Sequence, residues 1–398
     1  MHYIQVNKKY HIILKIQYIL VKGWLFIFNK NVLEVESSLI RKYTSLVAEY
    51  NDGISFAIGE PCIEVDKRVI DRTIKSLLDN EYKYTNAQGD SELLSAIVNK
   101  EKVNKENVLV TFGSSEGIFI SLLTILNKDD EVIVITPCYP QYEPVVKFCG
   151  GTVRYVETVD TNYIPTFSNL INVINNRTKV LILNTPSNPT GIMYDKSTLN
   201  MINELAKKNN FYILCDDVYE SLCYKEKCVY PFDLSHVIFL KSFSKTYGMT
   251  GYRLGYIIAN DNVVKELLKV HSYLNISVPV FIQKAGVEAL DLKRNSYKNI
   301  KENLSITYDY LNQINIPFLD VDGGIFIFID IREFNVNSIE FCDMFLSKYH
   351  VACVPGICFK CEGFIRVNFA IKKQELITGL NRLEDFVCTI RNSKKEEK

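Results

Sequence analysis

Short apolar runs, separated by stretches of helical length, fill the chain at 108–112, 131–135, 153–156, 180–183, 211–215, 237–240 and 256–259. Runs that are apolar at nearly every position read as strands buried on both faces. Between them apolar residues recur at helical spacing, as at Leu199, Ile202, Leu205 and Ala206. Strand and helix in alternation require a mainly parallel sheet covered on both sides. A sheet of that kind gathers its ligand beyond the carboxyl ends of its strands. The residues that follow each run are therefore where function is to be sought.

After the run at 237–240 comes Ser242-Phe243-Ser244-Lys245-Thr246-Tyr247-Gly248-Met249-Thr250-Gly251-Tyr252-Arg253-Leu254-Gly255. A lysine walled in by apolar strands has its charged form disfavoured and can act as an amine nucleophile. Hydroxyls and an arginine fork beside it suit a phosphate dianion. Together they point to a Schiff-base lysine holding a phosphorylated aldehyde, which is what pyridoxal phosphate is. Taken alone, the segment also fits a polar loop with a solvated lysine.

Two further segments weigh against that blander reading. Asn184-Thr185-Pro186-Ser187-Asn188-Pro189-Thr190-Gly191 follows one buried run and Asp216-Asp217-Val218-Tyr219 another. A pyridine nitrogen needs a carboxylate partner to stay protonated, and Asp216 can supply it. A phenolate oxygen on the same ring needs amide and phenol donors, which Asn188 and Tyr219 offer. Gly113-Ser114-Ser115, between a strand and an apolar helix, offers free N–H groups and a helix dipole to a phosphate. It is not the G-x-G-x-x-G of dinucleotide folds, so no nicotinamide cofactor is inferred.

Composition narrows the partners. Lysine plus arginine equals aspartate plus glutamate, 46 against 46, which leaves no electrostatic footprint for nucleic acid or an anionic membrane. Eleven scattered cysteines read as reduced, cytoplasmic usage rather than a disulfide framework. Cys353, Cys358 and Cys361 mimic a plant-type iron–sulfur spacing. They fall in a short turn between apolar strands, and no metal is expected. The stretch at 12–28 is apolar but interrupted by Lys15, Gln17 and Lys22, and no cleavage site follows it. It reads as an extension outside the catalytic fold rather than a membrane anchor. The expected organisation is an apolar extension at 1–30 and an N-terminal segment at 31–58 packing on the small domain. A large cofactor-binding domain at 59–290 and a smaller α+β domain at 291–398 follow.

The motifs S-x-I/L-R-K, G-E-P, K-Y-x-x-x-x-G, N-x-P-S-N-P-T-G, D-[DE]-[IV]-Y, S-x-S-K-x-x-x-M-T-G-x-R-x-G and V-P-G…R-x-x-F-A occur in order over about residues 32–390. In these the chain resembles a fold-type I, class I/II pyridoxal-phosphate aminotransferase, most closely the bacterial aminotransferase A group proposed to act on an acetylated diaminopimelate. The resemblance implies a seven-stranded, mainly parallel sheet and a homodimer with shared sites. It implies ping-pong transfer of an amino group from an amino acid, with glutamate as the default donor, to a 2-oxo acid. Lys245 would be the imine lysine and proton shuttle, Asp216 the pyridinium partner, and Asn188 and Tyr219 the ligands of the ring oxygen. Tyr139 would stack on the ring. Gly113, Ser114, Ser115, Ser242 and Arg253 would bind the phosphate, and Tyr84 the phosphate of the neighbouring subunit. Arg366 would clamp the substrate α-carboxylate, and Gly59 and Asn188 would line the substrate side.

Glu116 stands where aspartate-specific relatives often carry a basic residue, which argues against a dicarboxylic substrate. His271 is read as a helix histidine without a role. A carbon–sulfur β-lyase shares these motifs, and a non-catalytic binding or regulatory relative is the alternative of another class.

Overall fold

The computed structural model describes residues 28–226, 229–292 and 297–396. Residues 12–27 of the apolar stretch, and with them most of the extension at 1–30, lie outside the described residues. The strands are β1 (Ile54–Ser55), β2 (Val108–Thr111), β3 (Glu131–Thr136), β4 (Thr152–Glu157), β5 (Thr178–Asn184), β6 (Tyr212–Asp216), β7 (Val237–Ser242), β8 (Gly255–Ile258), β9 (Phe326–Asp330), β10 (Val351–Ala352), β11 (Val354–Pro355) and β12 (Phe364–Asn368). Seven of them form the central sheet in the order β2-β8-β7-β6-β5-β3-β4. β7, β6, β5, β3 and β4 run parallel, while β8 is antiparallel to both its neighbours. This is the expected fold class.

The runs of β3, β5, β6 and β7 alternate between two cores. Val132, Val134, Ile182, Leu214 and Leu240 pack on one face of the sheet, and Ile133, Ile135, Leu181, Leu183, Ile213 and Cys215 on the other. Burial on both faces is why these runs show no polar alternation.

The helices that cover the sheet and frame the site are α1 (Leu39–Val47), α2 (Lys67–Leu78), α3 (Ser91–Glu101), α4 (Gly113–Ile125), α5 (Tyr142–Phe148), α6 (Lys196–Asn209), α7 (Asp261–Asn275) and α8 (Val280–Asp291). Asp90 caps α3 by accepting from the Glu92 N–H, as its position before the helix predicts. The cap of α7 is Asn260, which accepts from the Asn262 N–H.

Beyond residue 297 lie α9 (Lys298–Gln313), α10 (Ser338–Tyr349) and α11 (Lys373–Glu396). They accompany an antiparallel sheet in the order β11-β12-β9, while β1 pairs in parallel with β10. One apolar core joins this part to the N-terminal segment and to Val218, Tyr219 and Leu222 that follow β6. Arg366, in the middle of β12, is thereby brought over the ends of β5 and β6. No helix among the described residues is long and apolar enough to cross a membrane.

Candidate active site

The carboxyl ends of β5, β6 and β7 lie side by side, with Asn184 in register with Asp216 and Asp216 with Leu240. They open into a cavity of about 250 Å³. Gly59, Ser114, Ser115, Tyr139, Asn188, Asp216, Tyr219, Ser242, Lys245, Arg253 and Arg366 all line it. Among the expected site residues, only Gly113 and Tyr84 are not on its wall.

Asp216 is 4% exposed. Its Oδ2 accepts from the Tyr142 hydroxyl at 2.7 Å, while Oδ1 is buried without a hydrogen-bond partner among the described residues. Burial pushes its carboxyl up to about 6, against the lowering effects of the Tyr142 hydrogen bond and the Lys245 charge. A buried carboxylate with an idle oxygen is costly unless a donor meets it.

Lys245 lies on a short helical turn, Phe243–Thr246, started by Ser242, whose hydroxyl accepts from the Ser244 N–H at 3.1 Å. Its Nζ donates to the Gly59 carbonyl. Burial lowers the ammonium to about 8; Glu60 and Asp216 oppose that shift, while Arg366 and Arg253 add to it. Among the described residues no carboxylate forms an ion pair with it.

Arg366 is 2% exposed. Nη1 donates to Asn188 Oδ1 at 3.0 Å and Nη2 to the Ala57 carbonyl at 2.6 Å. The guanidinium lies 3.8 Å from the Phe326 ring centroid and 4.9 Å from that of Phe359, which places it against two π faces. Burial lowers it to about 10, and among the described residues no carboxylate pairs with it. Such a cation is prepared for an anion from outside the chain.

Across the cavity, Gly113 opens α4 with φ +76°, and a β-carbon there would come within 2.8 Å of Arg253 Nη2. Glycine is thus required for the arginine to sit over the helix N-terminus. No side chain caps that end, so its N–H groups, the hydroxyls of Ser114, Ser115 and Ser242, and Arg253 form an anion cradle.

Glu116 is turned away from it. Its Oε2 accepts from the Phe112 N–H at 2.6 Å, and its Oε1 from His271 Nδ1 at 2.8 Å and Asn275 Nδ2 at 2.7 Å. Glu116 thus braces the back of the cradle, and it leaves this position without a basic residue. His271 likewise has a contact that the sequence did not suggest. Tyr84 is 80% exposed, so this chain alone does not bring it to the cavity.

Sequence reasoning missed Tyr142, Asn184, Val218, Ser244, Phe326 and Ile40 on the cavity wall. Asn184 and Ser244 belong to motifs already singled out. Phe326 and Ile40 come from elements whose approach to the site depends on tertiary packing.

The residues present fit pyridoxal phosphate. The cradle suits its phosphate, the idle Oδ1 of Asp216 suits a ring N–H, and Tyr219 and the amide of Asn188 suit the ring oxygen. Tyr139 offers an aromatic face, and Lys245 an amine for the aldehyde.

The family model for aminotransferase class I and II matches residues 51–383. An aspartate aminotransferase of Thermotoga maritima is 32% identical over 359 residues, covering 87% of this chain and 94% of the relative. A protein of Bacillus subtilis named "Probable N-acetyl-LL-diaminopimelate aminotransferase" is 33% identical over 386 residues, covering 92% and 97%. The crystal structure of aspartate aminotransferase from Thermotoga maritima superposes with a TM-score of 0.86 at 30% identity, covering 90% of this chain and 100% of that one.

Proposed function

The chain belongs to the class I and II aminotransferases, and from that premise we propose that its cavity exchanges the amino group of L-glutamate with a 2-oxo acid through Lys245. It is a pyridoxal-phosphate-dependent enzyme acting on an amino acid and a 2-oxo acid. The single observation that carries the residue assignment is the wall of the cavity itself. It buries an amine and a guanidinium without an ion-pair partner among the described residues, beside one carboxylate oxygen without a hydrogen bond.

When bound, pyridoxal phosphate supplies an aldehyde for the substrate amine and a protonated ring that takes up the electron pair released at the substrate α-carbon. Arg366 binds the substrate α-carboxylate and so fixes which bond at that carbon faces Lys245. Lys245 Nζ would take the proton from the α-carbon and deliver it to the former aldehyde carbon, on the far side of the shared nitrogen. An amine lowered to about 8 lies near neutral pH, where one group can both take up and give back a proton. Asp216 keeps the ring nitrogen protonated. Asn188 and Tyr219 hold the ring oxygen, and the cradle of Gly113, Ser114, Ser115, Ser242 and Arg253 anchors the phosphate.

For the second carboxylate of glutamate we assign Arg41. It follows the cavity-lining Ile40, its charge acts on Tyr139, and it forms no ion pair among the described residues. The names of the relatives place acidic amino acids among their substrates. Glu116 points away from the cavity, and Arg41 supplies the cation that its position lacks.

We also infer a homodimer. Ile70, Ile74, Leu77 and Leu78 stand exposed on α2 at the spacing of one helical stripe. Tyr84 lies just beyond them and is assigned to the phosphate of the second subunit. The described cysteines are all free, in keeping with a cytoplasmic location.

Absorbance tests the reading. The cofactor-loaded protein is expected to lose its visible band on adding L-glutamate and to regain it with 2-oxoglutarate. A band that ignores glutamate while cystathionine yields pyruvate would assign a β-lyase instead. Failure to retain the cofactor at all would remove the proposed site.

A further inference from the structure

Tyr142 opens α5 and is 2% exposed. Among the described residues its hydroxyl makes one hydrogen bond, to Asp216 Oδ2 at 2.7 Å. Burial, followed by the Asp216 charge, raises the phenol well above its ordinary range, so it remains a proton donor. The groups facing Asp216 are few. Lys245 and Asp217 act on it by charge, and the hydroxyls of Tyr139 and Tyr219 feel its field. Of these, Tyr142 alone touches the carboxylate in a hydrogen bond.

The choice of anchor has a chemical consequence. A lysine or arginine on Oδ2 would neutralise Asp216 and weaken its hold on a second cation. A phenol donates a hydrogen bond without adding positive charge. Asp216 is thus fixed in place and favoured as the anion while its charge stays available, and Oδ1 is left idle. Tyr139 packs edge-on against the Tyr142 ring at 5.6 Å and 84°, so the same residue supports an aromatic wall of the cavity.

We propose that Tyr142 is a positioning residue for the cofactor's ring nitrogen: its hydroxyl holds one oxygen of Asp216 and leaves the other to receive the ring N–H. This rests on the reading of Asp216 as the partner of that nitrogen.

The test measures equilibrium binding of pyridoxal phosphate and of its 1-deaza analogue, in which carbon replaces the ring nitrogen. The proteins are the wild type, Asp216→Asn, Tyr142→Phe and Tyr142→His. The ratio of the two affinities is read within each variant, so a general loss of folding does not imitate the effect. Asp216→Asn is expected to abolish the preference for pyridoxal phosphate. If it does not, the reading of Asp216 fails and the proposal falls with it. Given that preference, Tyr142→Phe is expected to weaken pyridoxal phosphate about tenfold, the size of a lost hydrogen bond to a charged group. The deaza analogue should stay within about twofold of wild type. Tyr142→His, which keeps a ring N–H donor, should restore part of the preference. Equal weakening of both compounds by Tyr142→Phe would show a merely structural residue and overturn the proposal, as would no weakening of either.

Discussion

Lys241 and Asp217 stand back to back with Lys245 and Asp216, and the two pairs have opposite fates. Asp216 shares the sheet face of Leu214 and Tyr142, whereas Asp217 and Lys241 lie toward Tyr230 and Phe239. On that second face Lys241 Nζ lies 2.8 Å from Asp217 Oδ2 and also meets Glu220, which Lys100 reaches at 3.0 Å. Burial alone would lower the Lys241 ammonium, but Asp217 and Glu220 raise it above its ordinary value. On the cavity face, burial lowers Lys245 to about 8 and raises Asp216 to about 6. Desolvation acts on both faces, and what differs is whether the chain completes the charge. A completed buried pair locks a fold, whereas an incomplete one waits for a ligand.

The largest expected effect separates the two lysines. Lys245→Ala should cost at least about 10⁴-fold in transamination rate while leaving the protein at least as stable as before. Lys241→Met should leave Asp217 and Glu220 buried without their cation and destabilise the protein by about 3–5 kcal/mol in urea unfolding. If Lys241→Met unfolds no more easily than wild type, the contrast is broken. Next, Arg366→Lys should raise the KM for the amino acid about 100-fold, because an ammonium cannot grip a carboxylate at two points. Steady-state kinetics reads this directly.

The pH response of Lys245 is smaller but has a definite sign. Its folded value near 8 lies below its ordinary 10.5. Capture of pyridoxal phosphate by the cofactor-free protein should therefore rise with pH through about 8 and level off above it. Between 8 and 10.5 the unfolded chain binds the proton that the folded one lacks. This group's contribution to stability therefore grows with pH across that window. Stopped-flow binding and urea titrations check the two halves of the statement. The smallest effect expected is that of Arg41→Gln, about a fivefold rise in KM for glutamate and none for alanine, as befits an exposed ion pair.

The sheet was legible because its runs from 108 to 259, the edge strand β4 apart, are apolar on both faces. Lys245, Asp216, Asn188, Ser242 and Arg253 were legible because they follow strand ends within dense motifs. The hydrogen bond of Tyr142 was not, since it joins α5 to the end of β6 across 74 positions and no spacing rule links them. The contacts of Glu116 were hidden for the same kind of reason: its rotamer reaches back to Phe112, His271 and Asn275.

The most direct test of the incomplete pair is the unfolding free energy of Asp216→Asn beside Asp217→Asn, each with and without pyridoxal phosphate. Asp216 is raised from 3.8 to about 6, so its ionisation burdens the folded protein more as pH rises through that window. By neutral pH the burden is about 3 kcal/mol. Without the cofactor, Asp216→Asn should thus stabilise the protein at pH 7 by about 1–3 kcal/mol. With saturating cofactor that gain should vanish or reverse. Asp217→Asn should destabilise it by about 2–4 kcal/mol in both conditions. Equal destabilisation by both substitutions in the cofactor-free protein would contradict the account.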